Sequence, residues 1–232
     1  DLNLGQLFRI CEKRFDEEYL SPTLYDGLAG LMFCREFLNK KLKLPDLDKQ
    51  LIQDVEVFLV DGMFVYLEED SLDFIHGALG IAYYMLMYGR LNNRDEILQK
   101  FVKCLAEKAI HTNQGLYFKN SLRTDTKIDL GMAHGQAGIA RLLSMFYQKN
   151  IAKDTCEKLI NGIWENVQSY RLSSENKYHY PSRILADGNL DLKGRLAWCY
   201  GDLSLAISYY HTGKILNRED WIIEAKELAC NC

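Results

Sequence analysis

Apolar residues recur at intervals of three and four along most of the chain, over 4–12, 28–38, 47–60, 74–88, 93–110, 131–147, 155–170, 199–212 and 218–229. The strict alternation that marks a half-buried strand is almost absent, so the pattern predicts an all-α protein. The prolines Pro22, Pro45 and Pro181 each fall between predicted helices, where a missing N–H does no harm. Asn93 followed by Glu96, and Asn217 followed by Asp220, predict helix starts of the capping-box kind. The polar, irregular stretch 171–194 predicts a long loop inside one domain, since its composition is not that of a disordered linker.

One stretch breaks the helical pattern from within. In "IDLGMAHGQAGIARLL", residues 128–143, glycines and His134 interrupt a run of buried spacing. An interior glycine costs about 1 kcal/mol of helix stability relative to alanine, so something must make it useful. The stretch belongs to an internal repeat: "YDGLAGL" from 25, "IHGALGI" from 75, "AHGQAGI" from 133 and "CYGDLSL" from 199. The first glycines are separated by 50, 58 and 66 residues, room for two helices and their loops. Before each stands a residue able to hydrogen-bond or exchange a proton: Asp26, His76, His134 and Tyr200. One such glycine pair commonly marks nothing more than close packing. Four copies predict stacked helical hairpins, with apolar inner helices wrapped by amphipathic outer ones. If the inner helices start at one end, the four residues before the glycines converge on one mouth.

Composition and charge narrow the partners. With 232 residues, 48% hydrophobic content and a net charge of −4, the chain reads as an ordinary globular domain. Lys and Arg number 28 against 32 Asp and Glu and form no long run, so no nucleic-acid surface is expected. The longest apolar stretches fall short of the ~20 residues of a membrane span. Seven cysteines at scattered, helix-core spacings suggest reduced thiols and a cytoplasmic home rather than a disulfide framework.

The succession "GMAHGQAG" at 131–138 and "WCYG" at 198–201, each within a helical repeat, resembles the lanthionine synthetase C family of lanthipeptide cyclases and their LanC-like relatives. "YDGLAGL" and "DFIHGALG" resemble the weaker N-terminal repeats of that family. The resemblance implies an all-α fold, an α/α toroid of seven hairpins with zinc at one mouth. It also implies that residues 1–232 are a single toroid domain carrying four to five of the seven hairpins and truncated at the C-terminus. The family adds a peptide Cys thiol across the double bond of dehydroalanine or dehydrobutyrine, so a dehydrated precursor peptide and a lanthipeptide dehydratase are the implied partners. The family's zinc ligands are the Cys of Trp-Cys-Tyr-Gly, which matches Cys199, and a later Cys-His pair. That pair is not present here, since neither His179 nor His211 follows a cysteine. Cys230 and Cys232 are alternative ligands, and a noncatalytic toroid that binds a peptide or thiol is the alternative function.

Chemistry independent of the family asks for the same residue types. A thiol is mostly protonated at pH 7 while its thiolate is the nucleophile, so a metal thiolate site suits the addition. The addition creates an enolate, which needs a hydrogen-bonding or positive partner and a proton on carbon. By the resemblance, His134 is the proton donor or acceptor, Asp73 orients it, and Arg195 stabilises the enolate or holds Tyr200. Structural roles exist for each as well: Arg195 in an ion pair, Asp73 as a helix cap, Tyr200 as a hydrogen-bonded core residue. Asp26 and Asp73 together would suit a carbohydrate-cleaving toroid, but that reading leaves Cys199 unexplained. His111, His179 and His211 are expected in loops or on the surface.

Overall fold

The computed structural model describes residues 21–42, 44, 46–194 and 197–230, with the side chains of residues 41 and 42 excepted. The predicted helix over 4–12 lies outside the described residues, as do Pro45, Arg195 and Cys232. Among those described there are eight helices: α1 (Leu28–Leu42), α2 (Lys49–Glu68), α3 (Ala78–Tyr88), α4 (Arg94–Glu107), α5 (Gln136–Gln148), α6 (Lys153–Gln168), α7 (Asp202–Leu216) and α8 (Glu219–Cys230). They form four consecutive hairpins. The inner helices α1, α3, α5 and α7 pack each on the next, and the outer helices α2, α4 and α6 do likewise. None of the helices is long and apolar enough to cross a membrane.

Side-chain patterning explains the two layers. α3 buries eight of its residues, among them Leu79, Ile81, Ala82, Tyr84 and Met85, so it is enclosed nearly all round. α4 buries only Leu98, Phe101, Val102 and Leu105, one stripe at helical spacing. α6 turns Cys156, Leu159, Ile160, Ile163, Trp164 and Val167 to the core. Trp164 stacks on Tyr209 of α7 with ring centroids 3.9 Å apart and donates to Thr212 Oγ1 at 3.1 Å. Burial pushes the Cys156 thiol up to about 12, whereas Cys34 and Cys230 are exposed. A thiol reagent at pH 8 is therefore expected to label Cys34 and Cys230 within minutes and to leave Cys156 unmodified until the protein unfolds. Peptide mapping by mass spectrometry checks this, and early labelling of Cys156 would contradict the burial.

The structure corrects several local expectations. The predicted helices at 74 and 131 begin later, after Gly77 and Gly135, because the residues before these glycines form loops. Asn93 makes no side-chain cap; its backbone at φ −98°, ψ 20° is outside the extended region a capping residue adopts. Asn217 ends α7 in the left-handed conformation, φ 56°, and Asp220 pairs with Arg218 instead. A true cap that the sequence reading overlooked is Asp48, whose Oδ1 accepts from the N–H of Gln50 and Leu51 at the start of α2.

Strands are also present. β1 (Ile110–Thr112) pairs antiparallel with β2 (Gly115–Tyr117), and β3 (Thr126–Asp129), β4 (Arg183–Leu185) and β5 (Leu190–Asp191) form a second sheet in that order. The predicted loop 171–194 thus contains two strands. They escape a periodicity argument because runs of two to four residues are too short to alternate visibly.

The repeat glycines have a common physical cause. Gly27 lies under the carbonyl of Ser21, Gly77 under that of Ser71 and Gly135 under that of Asp129, each six residues earlier. The second glycines repeat this, with Gly30 under Leu24, Gly80 under Phe74 and Gly138 under Met132. A Cβ at any of these positions would come closer than 3.0 Å to the oxygen. Each glycine pair therefore lets its own loop fold down onto the first turn of the inner helix. In the fourth copy Ser204 replaces the second glycine, and its Oγ accepts from the N–H of Met132 at 2.7 Å.

Candidate functional site

The loops before the four inner helices are stitched to one another at one end of the molecule. Tyr25 N–H donates to the Ile75 carbonyl at 3.0 Å, and Phe74 N–H to that of Ala133 at 2.9 Å. The Met132 bond to Ser204 continues the chain of contacts into the fourth copy. Gly131 sits directly against the Cys199 carbonyl, so "GMAHGQAG" and "WCYG" meet backbone to backbone. The four loops therefore meet at one end, while the residues before their glycines fall into two pairs, Asp26 with His76 and His134 with Tyr200.

At its centre His134 Nδ1 lies 2.6 Å from Asp73 Oδ2. Asp73 is buried, and its Oδ1 accepts the N–H groups of Ile75 and His76, both at 2.9 Å. Burial alone would raise this carboxyl, but the hydrogen bond from His134 and the two backbone donors outweigh it and hold Asp73 below the usual carboxylate range. An ionised carboxylate only accepts, so Nδ1 carries the hydrogen of this contact, and whenever the imidazole is neutral its lone pair is on Nε2. Asp73 thus caps the turn of its own loop and not α3, which starts after Gly77, and the same carboxylate is hydrogen-bonded to His134.

Tyr200 completes the cluster, its ring centroid 5.5 Å from that of His134. Its hydroxyl accepts a hydrogen bond from Arg123 Nη2, and the Arg123 guanidinium lies 5.6 Å from the ring centroid. Burial raises the Tyr200 phenol, with Arg123 opposing and Asp129 adding to the rise, so it stays a neutral donor at pH 7. Tyr200 is half-buried, at the edge of the core and not enclosed in it. Arg195, the expected partner of Tyr200, lies outside the described residues. Cys199 is half-buried with a free thiol, and Trp198 beside it is 44% exposed, its ring edge-on to Phe74 at 6.3 Å.

Other residues were not singled out by the sequence reading. Asp129, five positions before His134, is buried; its Oδ1 accepts from Gly131 N–H at 2.8 Å, and Oδ2 has no hydrogen-bond partner among the described residues. Desolvation pushes this carboxyl up. Asn120 donates to Asp73 Oδ2 at 3.1 Å and to the His134 carbonyl at 3.0 Å. Neither Asn120 nor Arg123 belongs to a repeat, so periodicity offered no signal for them. Gln136 did carry one, being a polar residue at the start of an apolar helix. The His76 ring lies 3.9 Å from exposed Asp26 and edge-on to the Tyr25 ring. His179, expected in a loop or on the surface, lies in a loop, half-buried, and pairs with buried Asp202 at 3.0 Å.

Among the described residues no group of three or more His, Cys, Asp or Glu side chains is placed to hold a metal ion. Cys199 joins no such group, so the described residues do not make the zinc site that the resemblance implies. Cys230 is exposed at the end of α8 and joins no such group.

Inner and outer hairpin layers, paired mouth loops and the two glycine-rich motifs define the class. The chain belongs to the lanthionine synthetase C-like family, whose model matches residues 4–231. It is similar to the nisin biosynthesis protein NisC of Lactococcus lactis subsp. lactis, with 22% identity over 238 residues covering 90% of this chain and 55% of that protein. It is also similar to the solved structure of a nisin cyclase, with a TM-score of 0.76 and 19% identity over 96% of this chain and 60% of the other. The chain spans little more than half the length of these relatives.

Proposed function

We propose that this protein is a lanthipeptide cyclase, joining a Cys thiol of a dehydrated precursor peptide to dehydroalanine or dehydrobutyrine as a thioether, in the cytoplasm alongside a dehydratase. The observation that carries this reading is the meeting of Asp73, His134 and Tyr200, from three different repeats, at one mouth. In the addition the thiolate sulfur bonds to the β-carbon, and the π pair moves onto the carbonyl as an enolate. The enolate then collapses as its α-carbon takes up a proton. His134 delivers that proton through Nε2, having received it from the entering thiol, so protons balance over the cycle. Asp73 holds the imidazole by Nδ1 and balances its charge while it is protonated. The Tyr200 hydroxyl, polarised by Arg123, hydrogen-bonds the developing enolate, and Arg195 is proposed to act with it.

Zinc is the proposed cofactor of the full-length protein, with Cys199 as one ligand; when bound it supplies a lowered thiol pKa. A second reading, a noncatalytic toroid that holds a peptide or thiol, is favoured by the lack of a ligand cluster around Cys199 among the described residues. Elemental analysis of the full-length gene product and of its Cys199→Ala variant separates the two. About one zinc per chain in the wild type, lost in the variant, is expected for the cyclase. No zinc in a folded wild-type protein would sink that mechanism and leave the binding reading.

A further inference from the structure

The segment from Phe118 to Arg123, between β2 and β3, touches three of the four mouth loops without belonging to the repeat. Its anchor is Gln136, the residue after the glycine in "AHGQ". Gln136 is buried, its Oε1 accepts from Phe118 N–H at 3.0 Å, and its Nε2 donates to the Phe118 carbonyl at 2.8 Å. A second anchor is Ser121, whose N–H donates to the Asp70 carbonyl at 2.9 Å. Between the anchors Asn120 has one available orientation. Its Oδ1 accepts from Leu122 N–H at 3.2 Å, which directs Nδ2 as donor to Asp73 Oδ2 and to the His134 carbonyl. Three residues on, Arg123 reaches Tyr200.

We infer that this segment is the positioning device of the site, with Asn120 fixing the Asp73–His134 pair and Arg123 fixing Tyr200. The inference rests on the cyclase reading for its consequence in turnover, but its contacts stand apart from it. Asp73 Oδ2 receives two side-chain donors, His134 and Asn120. The two bonds from Asn120 lock both the carboxylate and the backbone of the residue it serves. The charged and titratable groups around the pair, among the described residues, include His76 on the loop of Asp73, Tyr200 with its neighbours Arg123 and Cys199, and Asp129. Of the two side chains hydrogen-bonded to Asp73 among the described residues, Asn120 is the one that is neutral at every pH, so removing it tests geometry without adding or removing a charge.

The test uses the full-length protein and two variants, Asn120→Leu, which keeps the volume without donors, and Asn120→Ala. Carbon-13 NMR of the Asp73 carboxyl gives its titration midpoint, and steady-state kinetics on a dehydrated precursor peptide give kcat and KM. A donor to the ionised form is lost, so the midpoint is expected to move up in both variants. The expected kinetic change is a fall in kcat of roughly ten-fold or more with KM within two-fold. Arg123→Met is expected to lower kcat similarly, and Arg123→Lys to recover part of it. An unchanged midpoint, or a kcat within two-fold of wild type in the Asn120 variants, overturns the inference. A wild-type protein that turns over no dehydrated peptide would sink the cyclase reading instead, while the midpoint still reports whether Asn120 sets the charge state of the pair.

Discussion

Replacing His134 by asparagine is expected to lower kcat for thioether formation by about 10²–10⁴-fold, the usual contribution of a positioned acid–base group. KM should stay within a few-fold, because the imidazole exchanges a proton rather than holding the peptide. The fold should survive, since an asparagine amide can still donate to Asp73 and the His134 side chain is not part of the apolar core. Asp73→Asn separates the two members of the pair. An amide there can keep its oxygen toward the Ile75 and His76 N–H groups while its nitrogen faces His134. Nδ1 would then have to accept, Nε2 would carry the hydrogen, and the base would be in the wrong tautomer. The expected loss in kcat is again about two orders of magnitude or more, by analogy with other oriented imidazoles. A His134→Asn protein that cyclises at the wild-type rate would remove His134 from the chemistry.

The pH dependence of stability follows from the same carboxylate. Asp73 titrates lower in the folded protein than in the unfolded chain. Its contribution is therefore complete above the unfolded value, about 3.9, and is lost as pH falls through the lower folded value. The charge state of Asp73 stays constant from pH 5 to 8, so any activity change in that window arises elsewhere.

Why some of this was legible in the sequence and some was not has a physical reason. The helices α3, α4 and α6 announce themselves because burial on one or all faces leaves a periodic apolar record. The mouth was legible through the glycines, since in the first three copies each lies under a carbonyl six residues back, where a Cβ would clash. Asp73, His134 and Tyr200 stand at fixed offsets from those glycines. Asn120 and Arg123 stand at no offset from anything. They lie in a stretch whose shape is set by a reciprocal pair of hydrogen bonds with Gln136 and one donated to the Asp70 carbonyl, contacts between residues far apart in sequence. Asp129 was hidden because a single carboxylate in a strand of four residues reads as an exposed one. The caps failed at Asn93 and Asn217 because the motif fixes residue types and not backbone angles.

Gly131→Ala is expected to damage stability and turnover together. Its Cβ would lie far inside 3.0 Å of the Cys199 carbonyl oxygen and 3.1 Å from Asp129 Oδ1. Neither neighbour can yield cheaply. The carbonyl is backbone, and Asp129 is buried and bonded to the N–H of Gly131 itself. Relief requires the Trp198–Tyr200 loop to withdraw from His134, a shift costing about 3 kcal/mol or more. For a domain of this size that lowers the melting temperature by roughly 6–12 °C. The same movement carries Cys199 and Tyr200 away from the pair, so turnover should fall along with stability. Gly188→Ala is the control: its φ of +87° strains any side chain, but nothing lies within 4 Å of the added carbon. That variant should lose only about 1–2 kcal/mol and keep its full rate. If Gly131→Ala melts and cyclises like wild type, the two motifs are not in the backbone contact on which Tyr200 depends to face His134.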